Sequence, residues 1–281
     1  MDTLLLANET MLRLTAFAAV LLLVASAEAL LPRRTRREGR LRRWPVNLAM
    51  VALGALLIRI AVPLVAVEAA LLAEARGWGL LNAVGWPLWL ETGLAVLALD
   101  LIIYAQHVAF HHVPLLWRMH RMHHADPDLD VTTGLRFHPF EFFISMAIKV
   151  GAVLLLGASA AAVIVFELLL NATAMFNHGN LRLPAGVDRL LRLVLVTPDF
   201  HAVHHSVERA EHDRNFGFNL PWWDYLFRTY KARPDLGPEG VDIGLRAWRG
   251  AQGVGLGTLL IMPFRNGERR VAAPDDGQVG K

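Results

Sequence analysis

Twelve histidines occur in the 281 residues, and six of them fall in the eighteen residues 107–124, "HVAFHHVPLLWRMHRMHH". Imidazole fills a core poorly and holds a metal well, so the spacing decides what this cluster is for. His107 and His111 stand four apart, on one face of a helix. Pro114 opens a second helix, on which His120, His123 and His124 form H-x-x-H-H. His120 shares a face with both of the others, whereas His123 and His124 diverge by about 100° as helical neighbours, so they can serve two different metals. The device recurs at residues 197–205, "TPDFHAVHH". Thr197 is the expected N-cap, Pro198 the first helical position and Asp199 the first-turn acid, which puts His201, His204 and His205 in the same geometry. His178, in "FNHGN", is the expected ninth ligand. His138, in "LRFHPFE", either stands at the site or caps the helix that begins at Pro139. His112 and His212 lie outside these spacings and are expected to face solvent or to stand behind the ligands.

Nine imidazoles exceed the four that close one structural zinc site, so two metals with open or water-filled positions are expected. Iron, zinc, copper and nickel all accept imidazole, and the ligand set alone does not choose among them. Neither H-E-x-x-H nor the carboxylate pattern of soluble di-iron bundles is present. The absence of Cys excludes thiolate sites and iron–sulfur clusters built by this chain, so any redox partner is a separate molecule. A net charge of +3, concentrated in local arginine runs, does not make a nucleic-acid surface.

These residues must be positioned by a membrane-embedded scaffold. Hydrophobic residues make up 54% of the chain, and mean hydropathy is +0.38. Residues 14–31 predict a first span, retained rather than cleaved at "ASAEA" because no positive charge precedes Arg13. Seven arginines then crowd residues 33–43, expected to form a cytoplasmic loop under the positive-inside rule. A second span is expected over 46–67, interrupted by Arg59 and Pro63, and a third over 87–106, which brings the histidines to the cytoplasmic face. Residues 142–176 are too long for one span and short for two, so a re-entrant hairpin is expected, bent at Gly157 and Ser159, with Lys149 and Glu167 facing each other. Asp100, costly inside the third span, is the expected acceptor for a histidine N–H. The predicted architecture is an all-α integral membrane bundle of about three spans plus that hairpin, under a cytoplasmic histidine-rich cap. Three regions follow: 1–86, N-terminal spans and arginine loop; 87–235, the histidine region; and 236–281, in which 254–264 rests on the membrane surface and the tail from Arg265 is disordered.

The stretches "DLIIYAQHVAFH", "VPLLWRMHRMHH", "TTGLRFHPFE", "NHGN", "TPDFHAVHH", "DRNFGFNLPWWDYLF" and "RTY" together resemble the sterol desaturase and fatty acid hydroxylase superfamily of membrane di-iron oxygenases. The resemblance covers about half the chain, roughly residues 87–230. It implies two iron ions, with zinc as a substitute on purification, and O2 as co-substrate. It also implies a lipid substrate, sterol, fatty acyl, sphingoid or related, that is hydroxylated or desaturated, and electrons from a ferredoxin, cytochrome or reductase. The family's ligand boxes fall on His107, His111, His120, His123, His124, His201, His204 and His205, and a further family histidine on His178. Asp213, Asn215, Gly217, Trp223 and Asp224 match a later family segment expected to brace the site. Two positions depart: Ala174 stands where some members carry a histidine, and Arg228 where the family has glycine. Competing expectations are a histidine-rich metal transporter, whose site would lie near the midplane, and a non-catalytic lipid-binding relative. Arginine use and the minimal architecture point to a bacterial cytoplasmic membrane, with the histidines facing the cytoplasm.

Overall fold

The computed structural model describes residues 6–250 and 254–265. No strand occurs among them, only two isolated bridges, Pro32 with Leu181 and Ser206 with Ile243. Five helical stretches are long and apolar enough to cross a membrane: Glu9–Leu30, Arg40–Ala83, Leu88–His112, Pro139–Leu156 and Ala160–Asn177.

Helix α1 (Glu9–Leu30) contains neither Gly nor Pro and stops before Pro32. Helix α2 (Arg40–Ala61) stops because Val62, which precedes Pro63, is held extended. The span expected over 46–67 is therefore broken, and α3 (Ala66–Arg76) starts afresh. Its buried face is Ala66, Ala69, Ala70 and Ala73, small enough to let α3 lie close against both arms of the hairpin. Helix α4 (Leu88–His112) ends where Val113 turns extended before Pro114, and α5 (Pro114–His124) begins at that proline.

The hairpin is α6 (Pro139–Leu156) and α7 (Ala160–Asn177), joined at Gly157, which adopts φ 68°, and at Ser159, whose hydroxyl caps the Ala162 amide. The turn consumes only three residues, so each arm keeps 18, about 27 Å of helix. Both arms thus meet the length of a crossing, where the sequence led us to expect a hairpin too short for two. Gly79 packs backbone to backbone on the turn: a Cβ there would stand 2.1 Å from the Gly157 nitrogen. Lys149 and Glu167 face each other across the hairpin as expected, and Arg13 of α1 takes the second Glu167 oxygen at 2.6 Å.

Of the arginines of residues 33–43, Arg37 and Arg42 stay exposed, but the others turn towards the protein. Arg43 is fully buried and reaches Asp126 at 2.7 Å and Asp130 at 2.5 Å. Asp128 accepts the amides of Arg37 and Glu38, Arg33 meets Asp199, and Arg40 meets the buried Glu28 at 3.0 Å. The acids of "ADPDLD", directly after α5, thus clamp the start of α2 to the histidine-bearing helix. Desolvated arginines need carboxylates and hydrogen bonds, and the loop after His124 supplies them.

In the stretch 254–264, Leu259 and Met262 are buried with Met50, Met122 and Trp248, so this segment closes over α5, while Ile261 and Phe264 stay exposed. The chain after residue 180 also reaches back to α4. Trp223 donates to Asp100 at 2.8 Å and Phe227 stacks on Tyr104, both deep in α4. Asp100 lies twelve residues from the C-terminal end of α4, about 18 Å along the axis. The segment expected to be disordered from Arg265 lies, beyond that residue, outside the described residues.

Candidate metal centre

Four short stretches converge. Helix α4 delivers His107 and His111, and α5 delivers His120, His123 and His124. His178 caps the end of α7. A short helix, α8 (Pro198–His204), capped by the Thr197 hydroxyl on the Phe200 amide, delivers His201 and His204 and ends at His205. All nine rings are buried. They sort into two groups whose ligand nitrogens lie within 4.8 Å of one another: His107, His111, His120, His124 and His204 in one, His123, His178, His201 and His205 in the other. The adjacent pairs His123/His124 and His204/His205 split between the groups, as the 100° helical step requires.

The outward nitrogens fix the tautomers. A carbonyl oxygen only accepts, so Nδ1 carries the proton in His107, which donates to Phe216 O at 2.7 Å, and in His204, which donates to Arg214 O at 2.8 Å. The same holds for His178 towards Ala174 O at 2.7 Å and His123 towards Arg136 O at 3.2 Å. His120 Nδ1 points to Glu141 Oε1 at 2.8 Å. Burial keeps the rings neutral: it pushes His120 down to about 3 and His178 to about 4, and drives His123, His201, His204 and His205 well below their ordinary value. In His107, His120, His123, His178 and His204, where Nδ1 holds the proton, the inward Nε2 is then a bare lone pair.

Those lone pairs face one another. His178 Nε2 lies 3.0 Å from His123 Nε2 and 3.1 Å from His201 Nε2. His120 Nε2 lies 3.2 Å from the Nε2 atoms of both His107 and His124. In the His178–His123 and His107–His120 contacts both Nδ1 atoms carry the proton, so lone pair meets lone pair and the contact repels in the absence of a cation. With metal–nitrogen bonds of about 2.0–2.1 Å at roughly tetrahedral to octahedral angles, donors sit about 2.9–3.4 Å apart, which matches the observed spacing. His204 Nε2 and both ring nitrogens of His111 and His205 are buried with no hydrogen-bond partner, so they too fit a metal.

The comparisons agree with this geometry. A family model, "Fatty acid hydroxylase", matches residues 92–229, which include all nine histidines. The chain is 29% identical over 187 residues to the ornithine lipid hydroxylase OlsE of Rhizobium tropici, covering 66% of this chain and 54% of that protein. It is 28% identical over 143 residues to the alkylglycerol monooxygenase of Homo sapiens, covering 49% of this chain and 30% of that one. The chain belongs to the sterol desaturase and fatty acid hydroxylase superfamily. Identity to the very-long-chain aldehyde decarbonylase GL1-4 of Oryza sativa subsp. japonica is 29% over 164 residues, 53% of this chain and 26% of that protein. The chain therefore spans about half, or less, of the length of these relatives. No solved structure matches it.

The remaining residues of this superfamily member fall as follows. Asp224 accepts the amides of Phe216 and Gly217 at 2.8 and 2.7 Å, and so holds the carbonyl that orients His107. Asn215, at φ 53°, ties Phe200 to Lys231 through its side chain. Asp213 stands 3.6 Å from His111 Nδ1. Asp100 does not take a histidine N–H: its partners are the Trp223 indole and the Leu220 amide, which lock the 216–230 segment to α4. His138 caps α6 through the Phe140 amide and meets Leu260 O, away from both groups. His212, left without a firm place by its spacing, is buried 4.4 Å, ring to ring, from His124. His112 is exposed, as expected. Arg228 adopts φ 59°, the left-handed conformation that a family glycine would take without strain, and its carbonyl is held by Arg214. Ala174 contributes its carbonyl to His178 in place of a ring. Glu141 escaped the sequence reading. Its only local signal was an acid in the first turn after Pro139, which resembles ordinary capping.

Proposed function

We propose that this chain is an O2-dependent membrane oxygenase that hydroxylates or desaturates an unactivated C–H bond of a lipid at a di-iron centre. What supports this most is the arrangement of nine neutral, inward-facing imidazoles in two adjoining groups, one of which borders an apolar cavity. Two irons bound there, with O2 and electrons from a separate ferredoxin, cytochrome or reductase, supply an oxidant able to remove hydrogen from a hydrocarbon. His107, His111, His120, His124 and His204 would hold one ion; His123, His178, His201 and His205 the other. Asp213 and Asp224 support them from behind, the first beside His111 and the second through Phe216.

The cavity has a volume of about 350 Å³ and reaches His107 and His120. Phe17, Phe110, Phe142, Met146, Met175 and Phe218 line it, so a hydrocarbon chain is accommodated and water is disfavoured at the reacting carbon. Glu141 keeps the His120 proton on Nδ1 and leaves Nε2 for the metal. The arginines of residues 33–43 on the histidine side support a cap facing the cytoplasm, in a bacterial inner membrane.

The test is metal content per chain, by elemental mass spectrometry, with Mössbauer spectra of protein produced with ample iron. Two coupled irons, and a lipid product heavier by one oxygen or lighter by two hydrogens, are expected. One metal or none in a folded protein would overturn the di-iron reading.

A further inference from the structure

The same cavity has a charged end. Arg13, Lys149 and Glu167 all line it, in helices that present mostly apolar residues there. Charged groups inside a span are costly, and a single acid–base pair is enough to neutralise a lysine there. Here Glu167 is met twice, by Lys149 on Oε1 and by Arg13 on Oε2 at 2.6 Å. Glu9 does meet Arg13, at Nε and 2.8 Å, but it comes from the preceding turn of α1 and does not line the cavity. The cavity wall at this end therefore carries two cations and one carboxylate. An ammonium has three donors and a guanidinium five, so Lys149 and Arg13 retain donors beyond those that Glu167 engages. Asn171, polar and one turn from Glu167 on the same wall, adds to this end.

The charged end stands at a defined distance from the histidines. Glu141, which holds His120, and Lys149 are eight residues apart on α6, about 12 Å by helical rise. Between them the wall carries Phe142 and Met146, broken by the hydrogen-bonded pair Gln106 and Ser145. Resting on the reading of this cavity as the substrate's, we propose that Arg13, Glu167 and Lys149 form a headgroup site. It takes the anionic group of a single-chain amphiphile, carboxylate or phosphate, and points its chain at His107 and His120. The array then acts as a ruler, and the attacked carbon is counted from the headgroup rather than from the methyl end.

Binding tests this without turnover. Palmitate, hexadecyl phosphate and hexadecanol share one chain and differ in the head; each would be titrated against the detergent-solubilised full chain by displacement of a fluorescent acyl probe. Wild type is expected to bind at least one of the two anions about 10-fold or more tighter than the alcohol, and whichever anion wins identifies the headgroup chemistry. Lys149→Met should abolish that preference while changing hexadecanol affinity less than about 2-fold, and Lys149→Arg should keep it. Arg13→Gln, at the more exposed cation, gives the same readout with a smaller loss should Lys149→Met fail to fold. Equal affinity for acid, phosphate and alcohol in wild type, no binding of any of them, or an equal loss for all three in the variants would overturn the headgroup site. Protein stripped of metal should show the same preference, so absence of iron or turnover would count against the oxygenase reading and leave this one standing.

Discussion

The five-histidine group draws on α4, α5 and α8 and borders the cavity through His107 and His120. The four-histidine group draws on α5, α8 and the end of α7, and none of its members lines that cavity. Carbonyls orient members of both groups, those of Phe216 and Arg214 in the first and of Arg136 and Ala174 in the second, but carboxylates stand behind the first alone, Glu141 at His120 and Asp213 near His111. A carboxylate raises the basicity of the ring it holds, and a carbonyl mainly fixes its orientation. The five-histidine group thus stands next to the cavity and the four-histidine group behind it.

The strongest test removes one ligand from each. His120→Ala should lose the metal of the five-histidine group and His201→Ala that of the four, each with activity down by more than about 100-fold, beyond the loss expected for an outer partner. Elemental analysis of the two variants, with membrane insertion as control, checks this; two metals and full turnover in both would sink the ligand assignment. Arg43→Met comes next. It leaves Asp126 and Asp130 buried without their cation, so about 3–5 kcal/mol of stability should go, and since α5 serves both groups the two metals should be affected alike. Thermal unfolding and metal content would show whether one group fails alone.

Glu141→Ala should be selective: about 10–100-fold weaker metal binding at the five-histidine group, with the other group's ion retained against a chelator. Loss of both ions together would erase the distinction drawn above. The smallest effect is that of pH. Burial lowers His178 and His212 from 6.5 to about 4, so the unfolded chain takes up protons first as pH falls. Stability and metal retention should be complete above about pH 6.5 and decline as pH drops towards 4, as followed by metal release in a pH titration. A decline that begins only on the alkaline side would contradict the sign.

Local patterns carried much of this in the sequence. Helical spacing brought His107 with His111 and split His123 from His124, and Gly157 with Ser159 marked the hairpin turn, because periodicity and capping act within a few residues. Lys149 and Glu167 were legible as well, since their distance from a recognised turn sets their register. Arg13, the third member of that array, comes from another helix and carried no such signal.

What the sequence by itself determined is the kind of protein: apolar helices of crossing length, and histidines whose types and intervals suit two metals. Tertiary structure alone decided the partners. Arg43 finds Asp126 and Asp130 more than 80 positions away, and His107 is oriented by the Phe216 carbonyl, 109 positions away. Leu259 and Met262 join a core with Met50 and Met122, about 210 and 140 positions away. These pairings depend on which buried donors, acceptors and apolar faces packing brings within a few ångströms, and no period along the chain records that.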